Sequence, residues 1–221
     1  MREESSVASR FSLDANSYNG IMKTKTKVEA KRTVFTYAYL NMAANQALEH
    51  AEASERGRTY DCMSVILFCA FTLEAYFNHL GKEKFQCWEL IERRLGPKEK
   101  LLLLLDVIKH SIDESRRPFQ TLKDIFRLRD ALAHGKTEEF AYSGILMLSA
   151  DERPSEPEVV WLSYCTLANA KRCLEDTTHM ITELHRRAGF SGGAFSGLEI
   201  GETSVSVLLN QDAAVSDESH I

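Results

Sequence analysis

Residues 121–135 read TLKDIFRLRDALAHG, and the fold turns on how this stretch is arranged. At about 100° per residue, Leu122, Ile125, Phe126, Leu128, Leu132 and Ala133 cover one wide apolar arc, which predicts a helix laid against a core. Arg129 falls inside that arc. A guanidinium keeps its proton, so burying it without an anionic or nucleic-acid partner is costly, and an anion is expected opposite it. Lys123, Arg127, Asp130 and His134 share the neighbouring polar arc, with Asp130 and His134 one turn apart. The helix is expected to open at Pro118, or at Thr121 with Asp124 three residues on as a variant capping box, and to end at Gly135.

The partner for Arg129 is sought upstream. Residues 61–80 are apolar almost all round between Val65 and Phe77, with Gly81 expected as a C-cap, which predicts the central and most buried helix. Glu74 is the single charge within that run. A lone buried carboxylate either stays protonated or finds a cation, so Glu74 and Arg129 are expected to meet. Breaking such a pair, if fully buried, costs about 3–5 kcal/mol.

Other helices follow from the same periodicity. Residues 28–55 predict a long amphipathic helix carrying Val34, Phe35, Tyr37, Leu40 and Leu48. Residues 84–95 predict a helix closed by Gly96-Pro97, with Pro97 then serving as the first residue of the next. That next helix holds the leucine run 101–105. Five consecutive leucines cannot all face one core, so part of this helix covers either a second copy of the chain or another element of the same one. Residues 166–187 predict the last helix. Between them, 142–148 and 159–163 are β-favouring runs flanking a loop with Pro154 and Pro157, which predicts a hairpin. The expected fold is all-α: an up-down bundle of five to six helices over residues 21–189, with a small β-hairpin after the helix of 121–135. Residues 1–20 are expected to be a flexible segment. Residues 190–221 are expected to be a mobile, acidic, Gly- and Ser-containing tail, in which 205–209 could pair as a strand.

Arg129-Asp130-x-x-x-His134 followed by Gly135 resembles the Arg-x(4–6)-His signature of the HEPN superfamily of helical domains. The stretch Phe71-Thr72-Leu73-Glu74-Ala75-Tyr76-Phe77-Asn78-His79-Leu80 looks like the acidic helix that these domains place early in the bundle. The similar region covers roughly residues 60–137, about a third of the chain. The resemblance implies metal-independent cleavage of single-stranded RNA, with His134 moving a proton at the ribose 2′-OH or the leaving 5′-oxygen and Arg129 bracing the phosphate. It implies supporting roles for Glu74, Asn78, Asp130 and Arg127, no cofactor, and a homodimer. A toxin or antiviral-defence setting, with an antitoxin or regulatory protein as partner, is also implied. Asp130 matches the family's polar position, where Asn is the commoner occupant. Arg127 also fits the loose spacing and lies only about 20° from His134 in azimuth, whereas Arg129 lies about 140° away. One motif therefore does not converge on itself, and two copies facing each other across a cleft would answer that. The competing reading keeps His134 as a helix C-cap, Asp130 as half of an exposed pair and Arg129 as a structural partner of Glu74, in a module that binds a nucleotide or a protein.

Charge limits the partners. The chain carries 27 basic and 32 acidic residues, and Glu199, Glu202, Asp212, Asp217 and Glu218 account for the whole excess of five negatives. Residues 1–187 are thus balanced, which argues against a broad basic surface and leaves a local patch of Arg116, Arg117, Lys123, Arg127 and Arg129, or simply a solvated face. The five cysteines form no C-x-x-C pair and are expected as buried free thiols. His50, His79, His110, His179, His185 and His220 have no metal-ligand spacing, so no metal site is expected. The amino-terminal residues lack an apolar signal region, and the longest nearly apolar run, 65–73, is too short to span a bilayer. A soluble, cytoplasmic protein is expected.

Overall fold

The computed structural model describes residues 26–139 and 159–207. The chain divides into two compact units, one of residues 33–200 and one formed by 1–32 with 201–221. Among the described residues the first is mostly helical. Its elements are α1 (Thr36–Ala53), α2 (Arg58–Lys84), α3 (Trp88–Ile91), a 3-10 turn at Glu92–Arg94, α4 (Pro97–Val107), α5 (Phe119–Ala133), α6 (Val160–Ser163) and α7 (Leu167–Arg187). Strands β1 (Thr26–Val34) and β2 (Glu199–Val207) form a two-stranded sheet at the two ends of the described chain. Within the second unit the strands run antiparallel, with the Ser204 and Ser206 hydroxyls donating to the carbonyls of Glu29 and Lys27.

α2 is the central helix, and α1, α4, α5 and α7 all pack on it. Its nearly all-round apolar sequence requires this, because each face needs cover. Cys62, Val65, Ile66, Cys69, Ala70, Leu73, Tyr76, Phe77 and Leu80 are buried. Over its 27 residues α2 is long and apolar enough, by length and composition alone, to cross a bilayer, a property that counting the unbroken run of 65–73 misses; half of its most apolar window is buried inside the fold. Into this core α7 sends Ala170, Cys173, Leu174, Met180, Ile181 and Leu184. Its start is set by Thr166, whose hydroxyl accepts from the backbone N–H of Asn169 at 3.2 Å. Pro97 opens α4 as expected, and the leucine run splits: Leu101, Leu104 and Leu105 are buried while Leu102 is exposed.

Several expectations are corrected. Residues 28–34 belong to β1 rather than to the first helix, for Val28, Thr33 and Val34 are β-branched and the segment finds a partner in β2. Gly81 does not end α2 but lies within it. A Cβ there would meet the Trp88 indole at 2.1 Å, so the glycine exists to let that ring lie against the helix. The helix expected over 84–95 shrinks to α3 and the 3-10 turn. Residues 160–163 form helical α6, not the second strand of a hairpin; its turn is closed by backbone bonds from Leu162 and Ser163 to the carbonyl of Val159, and the β preference of so short a run is weak. The partner run at 142–148 and the amino-terminal segment 1–20 lie outside the described residues. Nor do residues 190–198 behave as a tail: Ala194 is buried, Phe190, Phe195 and Leu198 pack on the core, and Phe35 donates its N–H to the Leu198 carbonyl at 2.9 Å. Of the strand expected at 205–209, residues 205–207 belong to β2, which begins earlier, at Glu199; residues 208–221 lie outside the described residues.

Candidate functional site

α5 is held in place at its N-terminal end by an ion cluster. Arg117 donates twice to Asp176 of α7, with Nη2 at 2.7 Å and Nε at 2.8 Å, and once to Glu175 at 2.9 Å. Thr121 donates its hydroxyl to the same Asp176 carboxylate at 2.6 Å. The carboxylates of Asp176 and Glu175 push the Arg117 guanidinium further above its ordinary range. Thr121 therefore lies inside the helix and is not the head of a capping box; the helix begins directly after Pro118. At the other end the last helical residue is Ala133, and His134 caps it through its backbone N–H to the Asp130 carbonyl at 2.9 Å. A Cβ at Gly135 would lie 2.8 Å from the Ala131 carbonyl, which explains the glycine at the exit.

Leu122, Ile125, Phe126 and Leu128 are buried as the apolar arc demands, Leu132 and Arg129 are half-buried beside them, and Ala133, expected on the same arc, is exposed at the helix end. Its Nη2 donates to Oε2 of Glu74 on α2 at 3.4 Å, and its Nη1 lies 3.1 Å from Oδ1 of Asp130. The guanidinium carbon sits 5.3 Å from the Phe126 ring centre, a cation–π contact, and Nε is buried without a hydrogen-bond partner. The expected Glu74 to Arg129 pairing is present.

A third charge joins them that periodicity alone had passed over. Lys100, near the start of α4, is 4% exposed, with Nζ 3.8 Å from Oε1 of Glu74 and donating to Oδ1 of Asn78 at 2.8 Å. Glu74 thus lies between two cations, and Asn78, one turn on along α2, orients the second. The signal was available: Lys100 precedes Leu104 by one turn on the buried face of α4, where a lysine needs the same explanation as Arg129.

His134 stands apart from this network. It is exposed at the end of α5, and among the described residues its imidazole has no hydrogen-bond partner. Asp130 turns its carboxylate to Arg129 and does not orient the imidazole. Arg129 and His134 do not converge within one chain, as their azimuths require. Arg127 points to solvent and pairs with Asp124 at 3.1 Å. The remaining basic residues near α5 are likewise paired, Arg116 with Asp113 at 3.1 Å and Lys123 with Glu114 at 3.5 Å. The patch legible in the sequence is therefore a set of ion pairs in this conformation. Beside it, α4, the segment after it and α5 enclose a groove of about 200 Å³, with Leu101, Ile112, Phe119, Leu122 and Phe126 inside and Lys98, Glu114, Lys123 and Asp130 at its edge.

Four of the five cysteines, Cys62, Cys69, Cys165 and Cys173, are buried free thiols, and Cys87 is exposed. Burial pushes the Cys165 and Cys173 thiols up to about 11, so they stay protonated near neutrality. No family model, curated protein or solved structure matches the chain.

Proposed function

We propose that the chain is a metal-independent endoribonuclease of the HEPN type, acting as a homodimer. The observation that carries this reading is the end of α5: a guanidinium fixed from two sides by Glu74 and Asp130, and five residues on a solvent-facing imidazole with no competing partner among the described residues. An imidazole can take up or release a proton, so His134 can accept the ribose 2′-OH proton or deliver one to the leaving oxygen. The 2′-oxygen attacks the adjacent phosphorus, the bond to the 5′-oxygen breaks, and that oxygen takes a proton. The products are a 2′,3′-cyclic phosphate and a 5′-hydroxyl. Arg129 supplies positive charge to the phosphate as negative charge builds on it.

Since the two side chains diverge on one helix, the arrangement calls for a second copy bringing its own α5 across a shared cleft. The surface cations that would meet the RNA backbone are now paired, but exposed pairs are weak, at about 0–1 kcal/mol each, so phosphate can displace the carboxylates of Arg116 and Arg127. The setting consistent with such an activity is a cytoplasmic toxin or antiviral effector restrained by an antitoxin or regulatory protein. The pairing of Arg116, Arg117, Lys123, Arg127 and Arg129 also favours a second reading, a catalytically silent module of the same type that binds a nucleotide or a partner protein.

The test is incubation of the purified full chain with single-stranded RNA in EDTA, alongside His134→Ala and Arg129→Ala. The proposal expects cyclic-phosphate products from the wild type alone and a mass by light scattering of about twice the 25.0 kDa chain. Cleavage unchanged in His134→Ala, or lost on chelation, rejects it. A folded protein that cuts no RNA leaves the silent module.

A further inference from the structure

A second region of the helical unit has the makings of a ligand site, away from Arg129 and His134. A cleft of about 1170 Å³ opens between residues 33–37, the C-terminal third of α2, α3 and the segment 190–197 after α7. Its inner wall is a set of aromatic rings gathered around His79. The His79 ring centre lies 5.2 Å from Tyr37, 5.7 Å from Phe35 and 5.8 Å from Phe190, and Phe190 lies 4.8 Å from His185. Tyr37 meets Tyr76 edge-on at 5.1 Å. At these spacings the rings touch one another, and a planar ring can stack on the faces that border the cleft.

The polar atoms among these rings are unsatisfied. Trp88 Nε1, His185 Nδ1 and Tyr76 Oη are buried with no hydrogen-bond partner, in side chains that are 1%, 8% and 0% exposed. Trp88 and His185 line the cleft itself, and Tyr76 lies directly behind His79. Buried donors are ordinarily paired, so three in one place need an explanation. Desolvation lowers the pKa of both His79 and His185, so both imidazoles are neutral at pH 7, each offering one donor and one acceptor.

Charge narrows the ligand further. The charged lining residues, Lys82, Glu83, Glu89, Glu92 and Arg93, hold more negative than positive charge, and Lys82 is already 3.6 Å from Glu89. Lys84, beside the cleft, donates to the Ala188 carbonyl at 2.7 Å. An anionic ligand has little to hold it. A quaternary ammonium would suit the rings but gives the indole N–H and the tyrosine hydroxyl nothing to bond.

We propose that this cleft binds a neutral, planar heteroaromatic molecule of one or two fused rings, stacked on the half-buried His79 and Phe190 rings, with edge acceptor atoms that receive hydrogen bonds from Trp88 and His185 as those covered side chains turn toward it. The site is independent of the ribonuclease reading, and neither stands or falls with the other.

The probe is quinazolin-4-one, titrated by calorimetry into the full chain at pH 7.5, with naphthalene and benzyltrimethylammonium as comparisons of similar ring size. The expected result is quinazolin-4-one binding with a dissociation constant below about 1 mM, with both comparison compounds at least tenfold weaker. His79→Ala and Phe190→Ala should each weaken it tenfold or more. Because either could disturb the core, Ser191→Trp is added. Ser191 is an exposed residue lining the cleft, and a bulky ring there should block entry tenfold or more while the thermal melt stays unchanged. Equal binding of naphthalene would show that the buried donors are not used, and stronger binding of the ammonium would make the site a cation cage; either overturns the proposal. So does a failure of quinazolin-4-one to bind at millimolar concentration, or binding that Ser191→Trp leaves intact.

Discussion

Helix α2 carries side chains into two very different neighbourhoods, five residues apart along its length. Glu74 looks toward α4 and α5, into a network of Arg129, Lys100, Asn78 and Asp130 where carboxylates and cations answer one another, with Arg129 Nε alone left over. His79 looks toward α3 and the segment after α7, into a ring cluster where Tyr76, Trp88 and His185 hold polar atoms that nothing answers. The first region has the chemistry of a positioned charge, the second that of a place prepared for something else. A buried polar group either has its partner within the fold or marks where a partner comes from outside.

The sharpest way to break that contrast is at His134, which belongs to neither network. Loss of a positioned proton-transfer group typically costs about 10²–10⁴ in rate, so His134→Ala should remove detectable RNA cleavage. The thermal melt should not move, because the imidazole is exposed and uncommitted. Equal cleavage by the variant would return His134 to the role of a cap.

Next in size is a charge that no periodicity singled out. Asp176 is 6% exposed and accepts from Arg117 and Thr121 together. Asp176→Asn keeps the shape but replaces one accepting oxygen with a donor facing other donors, which should cost about 2–3 kcal/mol in a denaturant titration. A midpoint within error of wild type would mean α5 is held by its apolar face alone.

Glu74 is the third. From the sequence, a fully buried pair sets an expectation of about 3–5 kcal/mol. In the fold the Glu74 side chain is 34% exposed, and its bond to Arg129 is 3.4 Å long, so solvent screens the pair. Glu74→Gln should therefore cost about 1–2 kcal/mol, mostly by leaving Lys100 with Asn78 alone. Lys100→Met in the Glu74→Gln background should recover part of this loss, and a double variant no more stable than the single one would show that the lysine is indifferent to Glu74.

What could be read in advance follows the range of the signal. Within one helix, the apolar arc of 122–133 and the misfit of Arg129 lie a few residues apart, and the misfit of Glu74 in α2 is as plain, so pairing the two needed only the rule that buried charges are compensated. The same rule applied to Lys100 would have completed the network. Asp176 was beyond reach because it sits on the polar side of a strongly amphipathic helix, where a carboxylate looks like any solvated one, and Arg117 arrives from 59 residues away. β1 was misread because 28–34 continues an acceptable helical pattern, and its partner β2 is some 170 residues distant. Gly81 was misread because a glycine near a helix end suits a cap, while its actual reason, the Trp88 ring, lies on the next element. The aromatic cleft had no local signature whatever: its rings come from 35–37, 79, 88, 185 and 190, and only the folded chain puts them side by side.

The smallest expected effect tests the cleft through pH. Burial lowers the pKa of His79 and His185 below the ordinary imidazole value, with Glu83 partly opposing this at His79 and His185 adding to it there. A group with a depressed folded pKa binds fewer protons in the folded than in the unfolded chain between the two values, so stability rises with pH across that interval. Its contribution is complete above about 6.5, the unfolded imidazole pKa, and is lost as pH falls from there toward the folded values. Between pH 7.5 and 5.5 the melting temperature should drop by a few degrees, in a window where the paired carboxylates, including Glu183, held at about 2 by Arg186 and Arg187, remain charged and contribute no slope. His79→Gln and His185→Gln should each flatten that slope, since glutamine can hydrogen-bond but does not titrate. His134→Gln should leave it unaltered. His110, whose pKa burial and the nearby Arg187 also lower, adds a slope of its own, so the test is the part that the two cleft substitutions remove. If they remove none, the cleft imidazoles are already hydrated and ready to charge, and the contrast between the two sides of α2 loses its physical basis.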